Sequence, residues 1–186
     1  MDFFEKEKQD FLSKKDKSKK GSIDDGIIGL INLINSKSDY YTTSSCAGRI
    51  VLLDNSSKKK NEKEWVLKKH SKVSAEEVTG LIENYNGELW LKQEPVIIHI
   101  RCKSLDAARK LLDRTRNLFK RVSIISATDK KIIVEIIGNE RIDNLLCKNG
   151  ISPPKDFIAL LVEAANLNFD LNRKKTEKLQ KELFDF

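Results

Sequence analysis

Apolar residues recur along this chain at two periods, and the changes of period mark its elements. Phe3, Phe4, Phe11 and Leu12, with Glu7 and Lys8 between them, fall at helical spacing. Ile27, Ile28, Leu30, Ile31 and Ile34 repeat that spacing after a break at Gly21 and Ser22. Two helices therefore open the chain, joined by a polar connection from Asp16 to Asp24 with an N-cap expected at Ser22 or Asp24. From Ile50 the period becomes that of a strand. Ile50 to Leu53 and Glu64 to His70 read as a hairpin around a lysine-rich turn, Ser56 to Asn61.

Ser74-x-x-Glu77 has the capping-box form and starts a helix with Ala75, Val78, Leu81 and Ile82 on one face. The same order then returns: strand Glu88 to Leu91, a turn, strand Val96 to Cys102, and a helix from Leu105 to Leu118. This suggests a repeated β-β-α unit. A third pair, Val122 to Ala127 and Ile132 to Ile137, turns at Asp129 and Lys130. Pro153 and Pro154 precede a last helix striped by Phe157, Leu160, Leu161, Ala164, Ala165 and Leu167, and its basic end, Arg173 to Lys181, is expected to be solvated and frayed. Three hairpins with packed helices predict an α+β fold on a largely antiparallel or mixed sheet. There is no Gly-x-Gly-x-x-Gly or phosphate-loop signature, so a dinucleotide-type Rossmann fold is not expected.

Length and composition add limits. No Pro/Gly/Ser-rich linker divides the 186 residues, so a single domain over 1–186 is expected. A net charge of +7 makes an acidic partner plausible, although lysine is abundant throughout the chain and weakens that signal. Cys46, Cys102 and Cys147 are odd in number and far apart, with no Cys-x-x-Cys pair and no Cys/His cluster at zinc spacing. Neither a disulfide frame nor a metal is expected, and the setting is read as reducing and cytoplasmic. No run reaches the length that crosses a bilayer, so no membrane partner is expected.

The densest chemistry lies in Tyr41-Thr-Thr-Ser-Ser-Cys-Ala-Gly-Arg49, just before the first apolar strand. Small side chains and a glycine let backbone N–H groups approach an anion, and Arg49 brings a planar fork of donors that matches a carboxylate or a phosphate. The alternative is a Ser/Thr-rich turn that introduces the strand. Cys46 in such a loop is a nucleophile, a soft contact or a small packed side chain. His99 and Arg101 share parity on a strand whose other face is Val96, Ile98, Ile100 and Cys102, so they are expected to project together opposite an apolar layer.

These residues also resemble a known family. The Tyr41–Arg49 stretch is similar to the Thr/Ser-Ser-Ser-Cys-Ser-Gly-Arg signature of the wybutosine-synthesis tRNA methyltransferases, third enzyme of that pathway, in its short archaeal form. Asp16, Ser18, Gly21 and Asp24 resemble its Asp-x-Ser-x-x-Gly-x-x-Asp segment, Trp65 and His70 its Trp-x-x-x-x-His strand, and Glu94, Pro95 and His99 its Glu-Pro-x-x-x-His motif. Ala165-Asn166 and Asn172-Arg173 resemble the family's terminal helix. The chain departs from the family pattern at Ala47, where a serine is expected, and at Leu118 to Ser123, which stands in place of Gly-Phe-Arg-x-Ser-Gly.

The resemblance implies a non-Rossmann fold and methyl transfer from S-adenosylmethionine to N4 of the tricyclic base beside the anticodon of phenylalanine tRNA. It implies a cofactor site at Ser44, Ser45, Cys46, Gly48, Arg49 and Glu94, and catalytic roles for His70, His99 and Asp24. Asp24 otherwise caps a helix, and Glu94 otherwise ends a turn. Substrate contacts are implied for Trp65, Arg101, Lys20, Asn166, Asn172 and Arg173, with Trp65 either stacking on a base or belonging to the core. The lysines of the Asp16–Gly21 connection, Lys58 to Lys60, and Arg173 to Lys175 would meet phosphates. A monomer is expected, with a weak homo-oligomer as the alternative. Two readings from other classes remain: a non-catalytic RNA-binding module, and a thiol-dependent enzyme centred on Cys46.

Overall fold

A computed structural model of the chain describes residues 2–14, 23–57 and 64–184. Asp16, Ser18, Lys20, Gly21, Ser22 and Lys58 to Lys60 lie outside these residues. The described residues form helices α1 Phe3–Leu12, α2 Ile28–Ser36, α3 Ala75–Ile82, α4 Leu105–Thr115 and α5 Lys155–Phe184. The strands are β1 Tyr40–Cys46, β2 Arg49–Asp54, β3 Trp65–Lys69, β4 Glu88–Glu94, β5 Ile97–Cys102, β6 Arg121–Thr128, β7 Lys131–Ile137 and β8 Ile142–Lys148. All strand pairs are antiparallel, in two four-stranded sheets ordered β1-β5-β7-β6 and β3-β2-β4-β8. The α+β class expected from the periodicity is what the chain adopts, and no helix is long and apolar enough to cross a membrane among the described residues.

The chain forms two compact units. Unit 1 comprises Met1–Ala47, Val96–Asn139 and Arg173–Phe186, and unit 2 comprises Gly48–Pro95 and Glu140–Asn172. In unit 1, α2 and α4 cover the β1-β5-β7-β6 sheet through Leu30, Ile31, Ile34, Ala108 and Leu111, which meet Ile98, Ile100, Val134 and Ile136 in one cluster. Their alternation with Ile97, His99 and Arg101 gives β5 one core face and one other face. Leu179 and Leu183 of α5 are buried in the same cluster, 0% and 2% exposed, so the helix is anchored almost to its end rather than frayed. In unit 2, Ile50, Leu52, Leu89, Leu91 and Leu146 pack with Val78 and Ile82 of α3 and with Ile158, Val162, Ala165 and Phe169 of α5.

Two of the three expected hairpins form, β2 with β3 and β6 with β7. The middle one does not: β4 pairs with β2 and β8, while β5 pairs with β1 and β7. Pro95, which has no N–H to give a ladder, sits between them, and the chain passes from unit 2 to unit 1 there. The suggested β-β-α repeat is therefore not a structural unit. β8 is a strand that the periodicity does not predict, because Ile142-Asp-Asn-Leu-Leu-Cys147 lacks a clean alternation. A bulge between its pairings with Leu89 and Trp90 breaks the period.

The capping box is present, with Ser74 Oγ accepting from the Glu77 N–H at 3.1 Å. Asp24 stands at the N-cap position of a short 3₁₀ turn, Asp25–Ile27, but its side chain makes no capping bond. Its carboxylate is used elsewhere.

Candidate functional site

Tyr41 to Cys46 is strand rather than loop, because β1 has an edge of β5 to pair with from Tyr40 to Cys46. A register shift between Thr42 and Ser44 places Ser44 opposite His99, Ser45 opposite Ile98 and Cys46 opposite Ile97. The signature is also divided: Ala47 closes the first segment of unit 1, and Gly48 and Arg49 open unit 2. Gly48 has φ +85°, a left-handed conformation that glycine adopts without steric cost.

In unit 1, Asp24 is 8% exposed, and its Oδ2 accepts from the Ala47 N–H at 2.9 Å. Two motifs well separated in sequence are thus joined by one buried charge-assisted bond. Across the sheet runs a polar row, Ser44, His99, Glu135 and Ser123, formed by direct cross-strand partners. His99 Nε2 lies 2.8 Å from Glu135 Oε2. A carboxylate orients the imidazole by accepting a hydrogen bond from Nε2–H, which leaves the lone pair of the neutral ring on Nδ1. Glu135 is absent from the candidates that the sequence alone supplies, although it is the one charged residue in the Ile132–Ile137 run and that break in apolarity is a usable signal.

Arg101 has the parity expected of it but not the exposure. It is 5% exposed beneath α1, where Nη2 donates to Glu7 Oε2 at 3.0 Å and to the Lys130 carbonyl at 2.8 Å. Its guanidinium carbon lies 5.3 Å from the Phe4 ring. Tyr41 is covered by Phe4 and Phe11, and burial pushes its phenol up to about 12, with Glu7 adding to the effect. Periodicity identifies α1, but not that its Phe4 and Glu7 close over this end of the sheet. Gly26 meets Arg173 of α5: a Cβ on Gly26 would fall 1.3 Å from Arg173 Nη1, so any larger residue there would make the guanidinium shift. Cys102 is in the core, and burial pushes its thiol up to about 12.

In unit 2, a second group gathers at the head of β2. Arg49 lies opposite Glu94 in the ladder, and its Nε donates to Glu94 Oε2. The guanidinium carbon stands 4.4 Å above the Trp65 ring, and Trp65 is 45% exposed rather than core. Pairing of Ile50 with Lys69 brings the next residue, His70, beside Gly48, where Nδ1 is 3.1 Å from the Gly48 carbonyl oxygen. A carbonyl only accepts, so this contact requires the proton on Nδ1 and puts the lone pair of the neutral ring on Nε2. The side chains of Arg49 and Glu94 are 23% and 33% exposed, so a cation and a carboxylate reach solvent together.

Asn166 and Asn172 serve backbone. Asn166 Oδ1 accepts from the Val73 N–H at 3.0 Å while its Nδ2 donates to the Val73 carbonyl at 2.8 Å, tying α5 to the residue before the α3 cap. Asn172, 2% exposed, donates to the Asn168 carbonyl at 2.8 Å and the Glu140 carbonyl at 3.3 Å. Lys20 is outside the described residues.

Within unit 2 the fold therefore assembles Gly48, Arg49, Trp65, His70 and Glu94, and within unit 1 it assembles Asp24 with Ala47 and Ser44 with His99. Known proteins are similar to this chain in sequence and in fold. A tRNA(Phe) 7-((3-amino-3-carboxypropyl)-4-demethylwyosine(37)-N(4))-methyltransferase 1 of Pyrococcus furiosus is 38% identical over 167 residues, 87% of this chain and 85% of the relative. A tRNA wybutosine-synthesizing protein 3 homolog of Xenopus laevis is 33% identical over 90% of this chain and 69% of its own. The solved structure of the PH1069 protein from Pyrococcus horikoshii superposes with a TM-score of 0.86 at 34% identity, covering 97% of this chain and 95% of that one. The family described as Methyltransferase TYW3 matches residues 6–185, and the chain belongs to that family.

Proposed function

We propose that this chain is an S-adenosylmethionine-dependent tRNA methyltransferase that methylates N4 of an aminocarboxypropyl-demethylwyosine-type base beside the anticodon of phenylalanine tRNA. The observation that carries the reading is the 38% identity to a relative bearing that name, extended over 85% of the relative's length. The donor set at the head of β2 suits the cofactor: a guanidinium for a carboxylate, a carboxylate for an ammonium or a ribose diol, and an indole beside them. When bound, S-adenosylmethionine would supply an electrophilic methyl group carried on a sulfonium.

The residues of the chain position and exclude. Arg49, with Nε fixed by Glu94 and its plane against Trp65, presents its Nη edge in one orientation, which reduces the entropy lost on binding a carboxylate. Gly48 adds close backbone approach. Ser44, Ser45 and Cys46 offer hydroxyls and a thiol, and Asp24 acts by fixing the Ala47 amide. His70 and His99 are the imidazoles of the chain assigned to catalysis, side chains of the type that accepts a hydrogen bond or a proton. Alignment supplies most of the rate in such a methyl transfer. Arg101, Asn166 and Asn172 support this machinery from within, since their polar atoms hold backbone or Glu7. The two units act as one domain over 1–186, because unit 1 is built from three separate stretches of chain and neither unit can be excised as a continuous piece.

The test is incubation with phenylalanine tRNA carrying the demethylated tricyclic base and a methyl-labelled donor, followed by nucleoside mass spectrometry. Label on N4 of that base is expected. Label elsewhere, or none with intact protein and tRNA, overturns the reading.

A further inference from the structure

The outer face of the unit 2 sheet carries two cross-strand rows with different chemistry. One row is Trp65, Leu53, Trp90 and Leu145, on β3, β2, β4 and β8 in order. The neighbouring row is Lys68, Val51, Lys92 and Asp143. The opposite face of the same strands is the core, through Ile50, Leu52, Leu89 and Leu91. Trp65 and Leu145, at the ends of the first row, are 45% and 40% exposed. The row is exposed at its two ends, with Leu53 and Trp90 half-buried between them, on a sheet whose other face already supplies the core.

The indoles are held rather than loose. Trp90 Nε1 donates to Glu88 Oε1 at 2.9 Å, and Lys92 Nζ stands 5.6 Å from the centre of the Trp90 ring while donating to Asp143 Oδ1. The Trp65 ring centre has the Arg49 guanidinium carbon at 4.4 Å and Lys68 Nζ at 5.6 Å. Both are cross-strand partners of Leu53 on β2, which sets them about 10 Å apart, two strand spacings. Aromatic rings fixed across a four-stranded sheet, each flanked by cations, form the arrangement that stacks unpaired bases while lysines follow the backbone.

We propose that this face, with Trp90 and Trp65 as its two stacking rings and the exposed Lys68 as its phosphate contact, binds unpaired nucleotides of the RNA substrate. This rests on the substrate being an RNA, and assigns a function to Trp90 that the family motifs do not give it. An acidic protein segment would use the lysines without the rings, so the two sources separate experimentally.

The experiment titrates the intact protein with substrate tRNA and with a short single-stranded RNA, following intrinsic tryptophan fluorescence and anisotropy, for wild type, Trp90→Ala, Trp90→Phe and Lys68→Gln. Trp90→Ala is expected to raise the Kd for both RNAs about 5- to 150-fold, the range that one stacked base confers, with the salt slope unchanged. Trp90→Phe keeps a ring and recovers most of the affinity, which separates stacking from a folding defect. Lys68→Gln lowers the salt slope by roughly one phosphate contact. Wild-type affinity in Trp90→Ala, or equal losses in Trp90→Phe and Trp90→Ala, overturns the proposal. Methylation by the wild type is read in parallel: a methylating enzyme whose Trp90→Ala variant binds RNA normally refutes this face alone, whereas weakened RNA binding without wild-type methylation refutes the activity and leaves the face.

Discussion

Glu88 illustrates how single side chains set the properties of unit 2. Its carboxylate accepts from Lys148 Nζ at 2.8 Å and from Asn55 Nδ2 and Trp90 Nε1, each at 2.9 Å. These bonds, that from Lys148 first, hold its pKa down to about 2 from an ordinary 4.5. A depressed folded-state pKa means the bonds stabilise the fold fully above pH 4.5, and the stabilisation is lost as pH falls toward 2. Urea midpoints measured between pH 7 and about pH 2 are therefore expected to fall less steeply for Glu88→Gln than for wild type in the acidic window; parallel profiles would contradict the assignment. At this scale the sequence is informative about identity but not about engagement. Arg49, His70, Asp24 and Glu94 are legible as chemistry, and Arg101 is legible as a polar residue opposite an apolar face. That Arg101 is spent on Glu7 and Lys130 is not, because α1 is remote in sequence and periodicity carries no information about which face it covers.

At the scale of elements, every helix has a local signal, since amphipathic spacing and caps are written in contiguous residues. Strand partners are not. The neighbouring runs Glu88–Glu94 and Ile97–Cys102 look like a hairpin, yet they enter different sheets at Pro95, and Ile142–Lys148 becomes a strand only because β4 offers it an edge. The end of α5 is misjudged for a related reason: its lysines are visible in sequence, while burial of Leu179 and Leu183 depends on α2 and α4. Leu183→Ala is expected to destabilise the protein by about 2–5 kcal/mol in chemical denaturation, the cost of an unfilled cavity in a core. A loss under about 0.5 kcal/mol would mean that the last turns are solvated after all.

For the whole molecule, net charge and the proposed substrate make a joint prediction. If the +7 charge serves tRNA, affinity for tRNA falls roughly 50- to 150-fold between about 50 and 200 mM salt for four phosphate contacts, while affinity for the methyl donor changes little. Equal salt slopes for the two ligands would indicate that the excess lysine is compositional.

The central claim is that the group at the head of β2 holds the methyl donor, and calorimetric titration with the demethylated donor product, S-adenosylhomocysteine, tests it most directly. Arg49→Ala should weaken binding at least about 10-fold, because a charge-assisted bond contributes about 1.5–3 kcal/mol, with Arg49→Lys recovering only part of it and thermal unfolding nearly unchanged. Wild-type affinity in a folded Arg49→Ala protein would contradict the account.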